Sequence, residues 1–285
     1  MIALGRDAFN PLPLPWYSGG GPGWGACGRY GQPLQISYPR DIIRILGGSL
    51  TDQALLLSIQ VGKPQHYGRP DAAESHDKPW TTAYFKLPIA GKVFVGRLGI
   101  AGDGQADLKH HGGIDKAVLA YSADHYPAWR RELNRPDFPH GAFAENLTIA
   151  GCVEQAVYIG DVFSIGPVVF EVSQPRQPCW KIARRWRTNE LVALVTDNGR
   201  TGWYLRVLEE GEIEPGMPLR LLRRPNPDWS IARANGIMHH AKKDLEQTLE
   251  LACVPALADS WVKELRERAE RLEAALEKGT ATSGR

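Results

Sequence analysis

Residues 173–181 read S-Q-P-R-Q-P-C-W-K, and they gather more chemistry than any other stretch of the chain. An ionised cysteine is a nucleophile or a soft metal ligand, and nearby positive charge favours the thiolate over the thiol. No acidic residue lies between Glu171 and Glu190, while Arg176, Lys181, Arg184, Arg185 and Arg187 all fall in that window around Cys179. Pro175 and Pro178 stiffen the chain leading into the cysteine, which would hold a thiolate in one place. Arg176 adds a planar, permanently charged fork suited to bidentate contact with phosphate. The competing reading is a small buried hydrophobe, the usual state of a free cysteine.

Three further clusters could act with it. G-D-G-Q-A-D-L-K-H-H-G-G-I-D-K-A-V, residues 102–118, places paired glycines after two histidines, so the backbone can turn sharply and approach a ligand. His110, His111, Asp115 and Lys116 then offer donors and charge, although a tight turn with solvent-facing charges fits the same pattern. F-A-E-N-L-T, residues 143–148, sets Glu145 and Asn146 just before a strand, where they read a polar ligand or merely satisfy their own turn. R-T-G-W-Y, residues 200–204, is a second basic turn or a simple hairpin. One cysteine with two histidines also invites a Cys–His hydrolase, but no local signature of such an enzyme is present.

Composition bounds these options. The 285 residues suffice for one large domain or two smaller ones, and 43% hydrophobic with 23% charged residues is ordinary for a globular protein. A formal net charge of +2 gives no argument for a nucleic acid polymer or a membrane surface. Cys27, Cys152, Cys179 and Cys253 are widely spaced with no C-x-x-C pair, which excludes the usual zinc spacing and gives no disulfide framework. Reduced thiols, no signal peptide and apolar runs too short to span a bilayer together imply a cytoplasmic protein.

The elements that must position these residues follow from periodicity. Residues 1–33 hold five prolines and eight glycines and read as disordered, so residues 1–55 are expected to be a dispensable extension. From residue 56 short β-type runs alternate with Gly, Pro and Asp: L-L-S-I-Q-V, T-T-A-Y-F-K-L, K-V-F-V-G-R-L, K-A-V-L-A-Y, N-L-T-I-A, V-Y-I-G-D-V-F-S-I, V-V-F-E-V-S, Y-L-R-V-L and M-P-L-R-L-L-R. One helix is predicted over Tyr126–Leu133, where Tyr126, Trp129 and Leu133 share a face. The fold class is therefore mostly β (α+β), a barrel or sandwich with few helices. After Arg224 the pattern turns helical: Asn226 is a candidate N-cap before Pro227, and Met238, Ala241, Leu245, Leu249 and Ala252 form one stripe. Leu265, Ala269, Leu272 and Leu276 form another, so residues 225–278 are expected to be a small three-helix bundle and 279–285 a disordered tail.

In this order, D-L-K-H-H-G-G-I-D-K-A-V, A-F-A-E-N-L-T, Y-I-G-D-V-F and S-Q-P-R-Q-P-C-W-K resemble the landmarks of the MOSC family, named for the C-terminal domain of molybdenum cofactor sulfurases. N-P-D-W-S-I-A-R-A-N looks like the start of the three-helix appendage of its YiiM-like branch. The resemblance implies a MOSC-type β-barrel over residues 56–224 that binds the molybdenum cofactor (molybdopterin), with Cys179 as metal ligand. It carries a cofactor role to His111, Lys116, Asn146, Ser173 and Arg176, with Glu145 as a candidate for proton delivery. The implied activity is reduction of N-hydroxylated compounds such as 6-hydroxylaminopurine. No flavin, nicotinamide or iron–sulfur fingerprint is present, so electrons would come from an external reductase. A cofactor-delivery protein without turnover, or sulfur transfer through Cys179, are the alternatives. The chain departs from the family pattern at Ala144, where Gly is expected before Glu145.

Overall fold

The computed structural model describes residues 54–107 and 111–282, with side chains through 278. Most of the expected extension, and His110, lie outside the described residues.

The alternating runs fold as strands: β1 (Leu55–Val61), β2 (Gln65–Tyr67), β3 (Trp80–Thr82), β4 (Leu87–Ile89), β5 (Val93–Gly96), β6 (Gly99–Ile100), β7 (Val118–Ser122), β8 (Leu147–Ala150), β9 (Val162–Ile165), β10 (Val168–Pro175), β11 (Trp203–Glu209), β12 (Gly211–Ile213) and β13 (Leu219–Arg223). Eight of them make one sheet in the order β13-β9-β10-β11-β7-β8-β1-β4, antiparallel except for the β7–β8 pair. All five residues of β7 are buried, as suits a strand covered on both faces, whereas β10 alternates Val168, Phe170 and Val172 inward.

The sheet curls on itself. Leu56 N donates to Met217 O at 3.0 Å, Gly216 N to Leu56 O at 2.8 Å and Leu219 N to Ala54 O at 2.9 Å. With a single bridge between Leu55 and Pro218, these bonds join the start of β1 to the residues leading into β13. The barrel is thus closed by a short seam and not by a full ladder.

The helices are α1 (Tyr126–Glu132), α2 (Trp180–Trp186), α3 (Leu191–Asn198), α4 (Ile231–Asn235), α5 (Leu245–Ala252) and α6 (Asp259–Thr282), with a π-helical turn over Gly236–His240 after α4. α1 matches expectation, with Pro127 in its first turn and Trp129 fully buried. Neither α2 nor α3 was anticipated. α2 buries only Ile182, and α3 only Leu191 and Val195, too little to write a clear stripe. The cap of α4 is Ser230, whose side chain accepts from Arg233 N, and not Asn226, which lies in the preceding turn and donates to Ile159 O. The stripe from Met238 to Ala252 is divided between the π-helical turn and α5, because the chain breaks its helix at Ala241–Asp244. α6 continues to Thr282, past residue 278.

One apolar core runs from Leu56, Phe163, Phe170 and Leu205 in the sheet to Met238, Leu251, Trp261 and Leu265 in the C-terminal helices. The C-terminal helices therefore share one continuous apolar core with the sheet. A second, aromatic cluster gathers Tyr84, Tyr121, Tyr126, Trp129, Phe143 and Ile182 beneath α1 and α2. Its polar tips are satisfied: Trp129 Nε1 donates to the Tyr121 hydroxyl at 2.6 Å, which donates to Arg200 O at 3.0 Å.

Candidate active site

A cleft opens where the chain between β3 and β4 faces the loop from β10 into α2. The run T-T-A-Y-F-K-L, expected as one strand, stops pairing after Thr82, and Ala83, Tyr84 and Lys86 line the cleft instead. Opposite them Arg176 and Cys179 come from the β10–α2 loop and Lys181 from the first turn of α2, with His111 and Lys116 from the glycine turn. The sequence-predicted cysteine, arginine, histidine and lysine thus converge.

Arg176 is set by its backbone, whose N–H donates to Gly202 O at 3.0 Å at the start of β11. Arg176 is 3% exposed, and its Nη2 donates to the Tyr84 hydroxyl at 3.3 Å. Nη1 is buried without a partner. A buried cationic donor left unmatched costs free energy unless a ligand supplies the acceptor. Cys179 is a free thiol, half-buried, in extended backbone directly before α2. Of the five cations flanking it in sequence, only Arg176 and Lys181 line the cleft. Arg184 donates to the carbonyls of His76 and Lys78, Arg185 Nη1 to Tyr84 O at 2.8 Å, and Arg187 pairs with Asp77.

Burial pushes His111 down to about 4, with Lys181 adding to the effect, so its imidazole is neutral near pH 7. Burial also lowers Lys116, against the opposing pull of Asp115 and Glu264. Tyr204, on β11, is pushed up to about 12 by burial. By contrast Cys152 is an inert thiol, raised to about 12 by burial in the barrel core.

Three predicted site residues do not offer free groups to the cleft. Glu145 is wholly buried, and its carboxylate accepts from the Tyr126 hydroxyl, Gly141 N at 2.6 Å, Phe143 N at 3.1 Å and Thr148 Oγ1 at 3.0 Å. It pins the turn before β8, and its side chain does not line the cleft. Asn146 does line the cleft, but its amide is engaged: Nδ2 donates to Asp103 Oδ2 at 2.8 Å and Gln60 O at 3.2 Å, while Oδ1 accepts from Leu119 N at 3.1 Å. Ser173 is fully buried and donates to Asp115 O at 2.5 Å, fixing the turn that carries Lys116. Asp115 itself accepts from Arg206 Nε at 2.7 Å.

Sequence reasoning passed over Lys86, Asp103 and Tyr84. Lys86 Nζ lies 2.5 Å from Asp103 Oδ2, a pair 8% and 2% exposed, and Asp103 Oδ1 accepts from Gly62 N at 2.8 Å. Burial lowers Lys86, with Asp103 opposing. Their separation in sequence left no local pattern to find.

The cleft therefore combines a soft ligand atom with fixed positive charge, the donor set that suits a thiophilic metal carried on an anionic group. Among the described residues no cluster of three or more His, Cys, Asp or Glu could hold a metal ion by itself. A metal on Cys179 would have to bring its other ligands along. The buried, unmatched Arg176 Nη1 is the observation that the residues fit an anionic cofactor.

Fold and cleft define a MOSC-domain protein: the MOSC domain family matches residues 107–220 and the YiiM-like 3-alpha helix domain matches residues 229–272. The chain belongs to the MOSC family, in its YiiM-like branch. It is 43% identical to the YflK protein of Bacillus subtilis (strain 168) over 217 residues, 76% of this chain and 95% of that one. The YiiM protein of Escherichia coli (strain K12) is 32% identical over 74% of this chain and 91% of its own. Among solved structures, YiiM from Geobacillus stearothermophilus aligns with a TM-score of 0.63 at 36% identity, covering 76% of this chain and 99% of that one. A protein of Gibberella moniliformis (strain M3125 / FGSC 7600) named "Reductase" is 35% identical over 66% of this chain but only 34% of its own. No helix among the described residues is long and apolar enough to cross a membrane.

Proposed function

We propose that the chain is a molybdenum-cofactor-dependent reductase of N-hydroxylated compounds, working in the cytoplasm with a separate electron-donating reductase. The observation that carries this reading is the buried Arg176 guanidinium with an unmatched Nη1 in the same cleft as the free Cys179 thiol. The relative named "Reductase" supports the class of reaction.

Cys179 Sγ would ligate the metal, while Arg176, Lys116 and Lys181 would meet the anionic part of the cofactor. His111, neutral near pH 7, can accept or donate a hydrogen bond there without adding charge. When bound, the cofactor supplies a two-electron redox centre. The overall conversion is R–NH–OH + 2 e⁻ + 2 H⁺ → R–NH₂ + H₂O. Lys116 Nζ holds a proton that burial makes easier to release than from a solvated lysine.

The test is metal and pterin analysis of protein purified from a host that makes the cofactor, alongside Cys179→Ser, with assay of 6-hydroxylaminopurine reduction by a chemical electron donor. Near-stoichiometric molybdenum and pterin, lost in the variant together with turnover, is the expected result. Bound cofactor without turnover would leave a carrier. A protein that takes up neither molybdenum nor pterin would remove the reductase reading.

A further inference from the structure

An aromatic panel stands beside the cleft. Trp180, between the cleft-lining Cys179 and Lys181, is 55% exposed, the condition least expected of so large an apolar side chain. Its ring meets that of Trp80 at 5.6 Å with a 47° tilt. Trp80 opens β3, whose last residue, Thr82, lines the cleft together with Ala83 and Tyr84. Both tryptophans are chain neighbours of cleft-lining residues, Trp180 between Cys179 and Lys181 and Trp80 two residues before Thr82 on the same face of β3, although neither ring lines the cleft itself. Phe85 continues it inward, 6.0 Å from Trp80, and Tyr67 lies 4.2 Å from Phe85.

The panel is held in place. The Arg184 guanidinium lies 4.6 Å from the Trp80 ring centre and 5.7 Å from that of Trp180, and is anchored by the His76 and Lys78 carbonyls. Arg185 covers Phe85 at 4.7 Å. Cation–π contact on one side fixes the rings without covering the exposed surface of Trp180. A rigid indole beside a polar, basic cleft stacks on a flat conjugated ring at little entropic cost.

We propose that Trp180, backed by Trp80, is the specificity platform of the site and stacks on the planar ring of an N-hydroxylated aromatic heterocycle. The proposal rests on the reductase reading for the reaction, but not for the binding. Stacking on an exposed aromatic side chain changes affinity by roughly 5- to 150-fold on alanine substitution. The ring is recognised by its face and not by particular edge groups, so the platform selects flat substrates as a class.

The test compares wild type, Trp180→Ala and Trp180→Phe, each loaded with cofactor, on 6-hydroxylaminopurine and on the small aliphatic N-hydroxyurea. The ratio of the two kcat/KM values, planar over aliphatic, should fall about tenfold in Trp180→Ala and recover most of that loss in Trp180→Phe. An unchanged ratio, or a phenylalanine no better than alanine, overturns the platform. Equilibrium dialysis of adenine against the same proteins needs no turnover. Affinity should fall about tenfold in Trp180→Ala, and equal binding overturns the platform even if the wild type reduces neither compound. In that last case the reductase reading fails by itself. Thermal unfolding of each variant checks that the fold is intact.

Discussion

Two turns in this chain carry polar residues of similar promise and end with opposite roles. In residues 141–146 the carboxylate of Glu145 takes four donors and the amide of Asn146 is matched on both its oxygen and nitrogen. In residues 173–181 the buried Arg176 keeps one nitrogen unmatched and Cys179 remains a free thiol. Burial is not what separates them, since Glu145 and Arg176 are both almost fully enclosed. The difference lies in whether the bonding capacity is already satisfied by the protein. A satisfied group specifies the fold, whereas an unsatisfied one is kept at a cost and makes sense only if something else completes it.

The largest effect should come from exchanging chemistry at the two turns. Glu145→Gln replaces an acceptor of four bonds by a group with two donors of its own, so it should lower unfolding free energy by about 3–5 kcal/mol. Its cofactor content should fall only as the folded fraction falls. Arg176→Met keeps an unbranched apolar stem and removes the charge, so molybdenum and pterin retention should drop by tenfold or more with a much smaller loss of stability. Denaturant titration and metal analysis on both variants decide the matter. Equal stability losses would make Arg176 a structural residue like Glu145 and erase the contrast.

How far the sequence foretold this pattern depends on locality. The strands were legible because each writes its own alternation, and Cys179, Arg176, His111 and Lys116 were legible because their motifs are short and dense in unusual residue types. Helix α2 was missed although W-K-I-A-R-R-W holds good helix formers, because one buried residue makes no stripe. In α3 the β-branched Val192, Val195 and Thr196 blur the helical signal. Gly199, at φ +70° just past its end, was the mark that could have revealed it. Glu145 shows the other limit: its type and place before β8 were readable, but the direction of its side chain is set by Tyr126 and Thr148, on other elements. Lys86 and Asp103 are paired by topology alone.

A smaller effect sharpens the electrostatics of the unsatisfied turn. His111 falls from an ordinary value of 6.5 to about 4 because burial and nearby cations disfavour its charge. Between those values the unfolded chain binds more protons than the folded one, so stability rises with pH across that window and is lost as pH falls through it. Cofactor-free His111→Gln should therefore lose less of its melting temperature than wild type between pH 6.5 and pH 4. Parallel curves for the two proteins would show that His111 stays solvated, and that the cleft is less desolvated than its cations imply.

The smallest effect probes the satisfied turn at its one imperfect point. Ala144 holds φ +59°, the left-handed region, and its N–H donates to Gly141 O at 3.0 Å. An L-residue there costs about 1–2 kcal/mol relative to the right-handed region, and glycine escapes that cost. Glycine in turn loses roughly 0.5–1 kcal/mol through the extra freedom of its unfolded chain. Ala144→Gly should therefore stabilise the protein by about 0.5 kcal/mol, a shift of one or two degrees in melting temperature for a domain of this size. It also removes a methyl group from the cleft wall, since Ala144 lines it. If the glycine variant melts lower, the packing of that methyl against the aromatic cluster outweighs the backbone strain. The alanine would then belong to the scaffold as firmly as Glu145 beside it. If it melts higher, the chain tolerates backbone strain at a residue that, with Phe143 beside it, forms the apolar part of this turn's cleft face, which is where a larger or smaller substrate ring would be felt.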